Sequence, residues 1–206
     1  MRMIHSLHTM MRVCSLIRKM NITFLAKKGG VGKTTVSLLF YEALRQAGKS
    51  VSLHDWDAQG TLSKALAFIG GQKPDVTGKA DFVIYDTPPS LEHTATATAV
   101  RNADLAIVVT SPSPADIWEA EEAVKFVKAR NSKATVRIVF NKFRSGTVLG
   151  RLVEDSAKEV SAPALPVRLT LRECYVHALA QGWKALDPAA REEVLQFTVA
   201  LLSVNT

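Results

Sequence analysis

One short stretch constrains this chain more than any other. A β-branched, apolar run at 22–26 leads into Lys27-Lys28-Gly29-Gly30-Val31-Gly32-Lys33-Thr34-Thr35, which in turn opens an amphipathic pattern. In that pattern Val36, Leu39, Phe40, Ala43, Leu44 and Ala47 share one stripe, and Gly48 is placed to end the helix. A glycine-rich turn between a buried strand and a helix lets successive backbone N–H groups face an anion, and the helix N-terminus adds partial positive charge. Lys33 is then positioned for β- and γ-phosphates, and the Thr34 hydroxyl for Mg²⁺. Gly29, Gly30, Val31, Gly32 and Thr35 complete the expected cradle. The segment predicts a nucleotide site.

The rest of the chain continues the alternation. Strand-like runs fall at 51–54, 82–85, 105–110, 136–140 and 166–169, and helical patterns at 62–68, 91–101, 114–130, 146–160, 172–181 and 188–203. Near-continuous apolar runs are expected of strands buried on both faces. Strands separated by helices predict an α/β fold: a doubly wound, mostly parallel sheet with helices on both faces. A length of 206 residues suits one such domain, spanning 20–206. With 47% hydrophobic and 22% charged residues the composition is globular, and no apolar run is long enough for a transmembrane helix. Cys14 and Cys174 lie far apart and belong to no C-x-x-C pair, which argues against a disulfide framework or zinc site and for a reducing cytoplasm.

Residues 1–19 differ in character. All five methionines fall within the first twenty residues, and Arg2, Arg12, Arg18 and Lys19 carry much of the +7 net charge without an acidic neighbour. Met3, Ile4, Leu7, Met10, Met11, Cys14 and Ile17 recur at helical spacing. Two readings stand: a basic amphipathic arm for nucleic acid or a membrane surface, or an upstream extension before a functional chain that begins at Met20. The charged residues interrupt any secretory-signal core.

The cradle departs from G-x-x-x-x-G-K-[ST], because Lys27 occupies the first glycine position and a second lysine follows. A loop lysine can point outward to a nucleotide on a second subunit, or can be a solvated surface residue. The run from Lys28 to Thr34 resembles the deviant Walker A motif of the ParA/MinD family of P-loop ATPases. His54-Asp55-Trp56-Asp57-Ala58-Gln59-Gly60 is similar to that family's D-x-D-P-Q-G segment, with Ala58 for proline. Tyr85-Asp86-Thr87-Pro88-Pro89-Ser90 resembles its Walker B signature. The three segments keep the family's order.

The resemblance, which runs from about Met20 to the C-terminus, implies a P-loop NTPase fold, ATP and Mg²⁺ as cofactors, and hydrolysis to ADP and phosphate that is weak until DNA and a partner protein stimulate it. It implies that Lys28, Lys33 and Asp57 are the catalytic residues. Lys28 would cross to the partner's nucleotide in a homodimer sandwiching ATP, and Asp57 would orient the attacking water. It further implies that Thr34, Asp55 and Asp86 surround Mg²⁺ and that Asn141 reads the adenine edge. Read from the residues alone, Asp55 and Asp57 could equally cap the helix that follows, and Asn141 could cap its strand.

The family's branches differ in what they bind. MinD-like members end in a basic amphipathic helix, but here residues 188–206 hold only Arg191 against Glu192 and Glu193, so no stable membrane association is expected. Cys14 and Cys174 do not match the cluster ligands of nitrogenase iron proteins, and nineteen residues cannot hold the N-terminal helix-turn-helix domain of larger ParA proteins. The remaining branch is the small, ParF-like ParA of plasmid partition or cargo positioning, cytoplasmic and nucleoid-associated. Thr110-Ser111-Pro112-Ser113-Pro114 resembles its proline-rich segment near the dimer interface, and the run from Leu169 to Val176 its late segment. The span from Asp57 to Asp86 is shorter than in the family.

That branch binds nonspecific double-stranded DNA and a centromere-binding, ParB- or ParG-like adaptor. Twelve basic and four acidic residues lie between Lys125 and Lys184, and Arg168, Arg172 and Lys184 are the expected phosphate contacts, against a scattered solvated face. Three other readings stay open: a MinD-like positioning ATPase, a small-molecule P-loop enzyme resembling the amidoligase dethiobiotin synthetase, which needs no basic patch, and an ATP-dependent filament scaffold.

Overall fold

Five strands line up in one all-parallel sheet: β1 (Met20–Leu25), β2 (Val51–Asp55), β3 (Phe82–Asp86), β4 (Leu105–Thr110) and β5 (Thr135–Phe140), in the order β2-β3-β1-β4-β5. This computed structural model describes residues 2–17, 19–70, 78–158 and 160–203, so Arg18 and Glu159 lie outside the described residues. The helices are α1 (Arg2–Leu16), α2 (Lys33–Gln46), α3 (Thr61–Phe68), α4 (Thr94–Arg101), α5 (Pro114–Arg130), α6 (Val148–Lys158), α7 (Glu173–Gln181) and α8 (Pro188–Leu202), with a 3₁₀ turn at Gly182–Ala185. Parallel strands need helical crossovers, and these cover both faces of the sheet.

The period of two along the strands divides the core. In β4, Leu105, Ile107 and Val109 face the layer that contains α1, α2, α3, α7 and α8. Ala106 and Val108 face the layer of α4, α5 and α6. Phe24 of β1, Phe40 of α2 and Phe197 of α8 pack through the first layer in tilted and edge-to-face pairs, with ring centroids 5.7 and 6.2 Å apart. Such pairs contribute about 0.5–1.5 kcal/mol each beyond their burial.

The expected sixth strand at 166–169 does not form. The segment runs beside β5 but makes only isolated parallel bridges, Ile138 to Ala164 and Phe143 to Thr170. Leu165 N–H donates to Ile138 O at 2.8 Å and Leu169 N–H to Phe140 O at 2.9 Å. Pro163 just before them and Pro166 between them have no N–H to donate, so the ladder cannot run unbroken. The helix expected over 91–101 starts at Thr94, because the His93 ring accepts the Ala95 N–H and caps it there.

The first helix is docked on the last. Met10 and Cys14 of α1 are fully buried in the first core layer, Leu7, Val13 and Ile17 pack at its margin, and Ser6 Oγ donates to Glu192 Oε1 of α8 at 2.6 Å. Burial pushes the Cys14 thiol up to about 11, which leaves it an inert core group rather than a nucleophile.

Candidate nucleotide site

The site lies where the strand order reverses. Connections leave β1 toward β2 on one side and β3 toward β4 on the other, so the order reverses between β1 and β4, and the cleft lies beyond the carboxyl ends of β1, β2 and β3. The loop after β1 turns through Gly30 and Gly32, both left-handed at φ 87° and 88°, before α2 begins at Lys33. A side chain at position 32 would put its Cβ 2.3 Å from Asn141 Nδ2, so the cradle requires glycine there. Lys28, Gly29, Gly30, Val31, Gly32, Lys33, Thr34 and Asp57 share one open cleft with Pro89.

At its base lies a buried polar cluster. Asp86, the last residue of β3, is fully buried and accepts from Lys33 Nζ at 2.9 Å, Thr34 Oγ1 at 2.7 Å and Ser37 Oγ at 3.1 Å. Burial pushes the Asp86 carboxyl above the usual carboxylate range, against the pull of Lys33 and the two hydroxyls. Ser37 escaped the sequence reading; its signal was its place one helical turn beyond Lys33. The residues fit the expected ligands, because Lys33, Thr34 and a carboxylate converge under a glycine cradle that a Cβ would fill. Among the described residues no three His, Cys, Asp or Glu side chains could hold a metal unaided. Mg²⁺ takes one or two carboxylates plus substrate phosphates, and Asp86 supplies one carboxylate beside Thr34.

The acidic segment after β2 is held differently. Asp55 pairs in register with Asp86, yet its Oδ1 accepts the Asp57 N–H at 3.1 Å and its Oδ2 the Ser63 N–H at 2.8 Å. Both its oxygens thus order the turn into α3. Asp57 accepts the Gln59 N–H at 3.1 Å while lining the cleft. Trp56 lies against Tyr85, centroids 4.6 Å apart, and Tyr85 stacks on His54 at 5.2 Å, which fixes this turn on the sheet edge.

The two loop lysines are tied outward to α5. Lys28 Nζ pairs with Asp116, and Lys27 Nζ with Glu119 at 3.2 Å and Glu122 at 2.7 Å, so three acids on one face of α5 grip the loop. Hydrogen bonds from Glu122 and Glu119 raise the Lys27 pKa, and one from Asp116 raises that of Lys28. Asp116 also accepts from Ser111 Oγ, inside the proline-rich segment where Ser113 caps α5. Asn141 is buried, and its Nδ2 donates to Val31 O at 2.9 Å.

The three expected DNA contacts do not form one cluster. Arg172 precedes α7 and Lys184 follows it, and nine helical residues rise about 14 Å. Arg172 Nη2 pairs with Glu193 Oε2 at 3.2 Å, and Glu193 also accepts from Thr170 N–H at 2.6 Å and Tyr175 OH at 2.7 Å. Arg168 lies over the Phe143 ring, 5.3 Å from its centroid, whereas Lys184 is exposed.

An all-parallel sheet with a glycine cradle, a buried lysine and a strand-end aspartate defines a P-loop nucleotide-binding protein. The chain belongs to the family of CobQ/CobB/MinD/ParA nucleotide binding domains, whose model matches residues 22–182. ATP and Mg²⁺ are the cofactors of this site. Maintenance of carboxysome distribution protein A from Halothiobacillus neapolitanus is 26% identical over 186 residues, covering 80% of this chain and 85% of that protein. In fold the chain is similar to the MinD cell division protein of Aquifex aeolicus, with TM-score 0.71, 19% identity and coverage of 90% and 97% of the two chains. It is also similar to a plasmid partition protein from Borrelia burgdorferi, with TM-score 0.61, 15% identity and coverage of 87% and 97%. Cobyrinic acid a,c-diamide synthase from Mycobacterium smegmatis, with bound ATP analog and magnesium, gives TM-score 0.69, 18% identity and coverage of 87% and 93%. Among the described residues no helix is long and apolar enough to cross a membrane.

Proposed function

We propose that this P-loop ATPase is a positioning ATPase: ATP joins two copies face to face, the dimer binds duplex DNA without sequence preference, and hydrolysis triggered by an adaptor protein releases it. One observation carries the reading. The cradle already has its own buried lysine, Lys33, while a second lysine, Lys28, stands at the rim with 44% of its side chain exposed. A lysine so placed contributes little to its own phosphates, but on leaving Asp116 it can extend across a twofold axis to those of a partner. A relative named for carboxysome distribution supports positioning over small-molecule chemistry.

In this reading Lys33 and the backbone amides of 29–35 hold the phosphates, and Thr34 and Asp86 hold the metal. Bound Mg²⁺ neutralises phosphate charge, and Asp57 at the cleft wall orients the attacking water. Asp55 supports the metal shell indirectly, through the turn that carries Asp57. Asn141 keeps its Oδ1 for the adenine amino group while Nδ2 holds the loop. Arg168, Arg172 and Lys184 contribute to the DNA surface. Because Arg172 also partners Glu193, substitutions of Arg168 and Lys184 probe that surface with less disturbance.

The test is electrophoretic mobility of nonspecific duplex DNA with Mg-ATP, Mg-ADP or no nucleotide. Retention is expected with ATP alone, falling with salt at a slope of about −0.9 per phosphate neutralised. The Lys28→Ala variant should bind ATP but not retain DNA. Retention indifferent to nucleotide would refute the reading, and no retention under any condition would refute it in favour of an enzyme of the amidoligase kind.

A further inference from the structure

The phosphate loop is held from outside by the end of β5. A cradle that turns its N–H groups toward an anion turns intervening carbonyls away from it, and those carbonyls need donors. Two out-turned carbonyls here have them: Val31 O accepts from Asn141 Nδ2 at 2.9 Å, and Gly30 O accepts from Lys142 Nζ at 2.5 Å. The Lys142 stem passes close enough that its Cε would lie 3.9 Å from a Cβ at position 32. Neither lysine of the cleft does this work, since Lys33 reaches inward to Asp86 and Lys28 outward to Asp116.

The backbone at Lys142 is itself unusual. Its φ of 57° is the only positive value at a non-glycine residue among the described residues. Such a conformation persists where neighbours over-determine it. Asn141 N–H donates to Thr110 O at 2.8 Å and Phe143 N–H to Leu169 O at 3.0 Å, so the residue is pinned on both sides. The turn directs a long cationic side chain back across the sheet end, onto a carbonyl 112 residues earlier in the chain.

We propose that Lys142 is a positioning residue for nucleotide binding, which holds the loop in its phosphate-accepting form through the Gly30 carbonyl. It acts through the loop and touches no reacting atom. The inference rests on the loop being the nucleotide site, so its test includes a variant that challenges the site itself.

The experiment titrates a fluorescent ATP analogue, with Mg²⁺, into wild type, Lys142→Met, Lys142→Arg and Lys33→Ala, and records the melting of each nucleotide-free protein. Lys142→Met keeps the stem and loses the donor, so binding should weaken roughly threefold to tenfold. Lys142→Arg keeps a donor and should stay within about twofold of wild type, a rescue that a purely structural side chain would not show. Melting of the nucleotide-free Met variant should match wild type, because Lys142 is exposed. Equal binding by Lys142→Met and wild type overturns the inference, as does equal loss in the Met and Arg variants. If Lys33→Ala binds like wild type, the nucleotide site itself has been misplaced.

Discussion

Replacing Asp86 by asparagine tests the centre of the site. Lys33 Nζ lies 2.9 Å from Asp86 Oδ1, with side-chain exposures of 6% and 1%. At that distance and an effective dielectric constant of about 20, the Coulomb attraction is ~6 kcal/mol. Asparagine escapes the desolvation that burdens the carboxylate, several kcal/mol, but leaves the Lys33 ammonium buried without a counter-charge. Burial raises the Asp86 carboxyl in spite of Lys33, so desolvation outweighs that attraction, and the nucleotide-free variant should equal or exceed wild type in Tm at neutral pH. ATP without Mg²⁺ should widen that margin, because phosphates give Lys33 a new partner and no longer face a carboxylate. With Mg²⁺ the wild type should pull ahead. The pH dependence has a definite sign. Burial raises the Asp86 carboxyl above its unfolded value, so the stability it contributes is full below the ordinary carboxylate pKa and declines as pH rises through the raised one. The variant lacks that decline. Differential scanning fluorimetry across pH measures each effect, and a variant whose Tm declines with rising pH as the wild type's does would refute the reasoning.

Gly32→Ala should weaken binding of an ATP analogue at least tenfold, because φ 88° and a contact of 2.3 Å to Asn141 Nδ2 forbid a Cβ without rebuilding the loop; unchanged affinity would mean the loop lies otherwise. Met10→Ala should cost about 2–5 kcal/mol in urea unfolding, since Met10 is fully buried. Met11→Ala, on the same helix but 41% exposed, should stay within about 0.5 kcal/mol, and equal effects would show α1 undocked from α8. Asp116→Ala releases Lys28 and should lower the ATP concentration needed for dimerisation severalfold by light scattering, whereas Lys28→Ala should abolish the dimer. A dimer indifferent to both would make Lys28 an ordinary surface lysine.

Much of this was readable along the chain. The strands announced themselves as β-branched runs and the helices by stripe, and glycine and lysine spacing marked the loop after β1, because a phosphate cradle needs those residue types in local succession. The sixth strand failed for a reason the sequence also held, the prolines at 163 and 166, but a short apolar run hides whether its N–H groups have a ladder to join. Asp55 was ambiguous between metal shell and cap until its two oxygens were seen on the amides of Asp57 and Ser63. Ser37, Asp116 and Lys142 take their places in the site from partners distant along the chain.

Local pattern therefore determined which segments are strands, which are helices and where phosphate can bind, since each depends on residues within a turn or two of one another. The order β2-β3-β1-β4-β5 decided the rest. It brings Asp86 under Lys33 and the end of β5 against Gly30, pairs separated by 53 and 112 residues. It lays the acids of α5 beside the loop lysines and leaves α8 open for α1 to cover. Periodicity fixes which face of an element is buried, but contains nothing about which element lies across from it. That choice is made when crossovers close and the sheet assembles, and the buried charges, the out-turned carbonyls and the docked first helix find their partners only then.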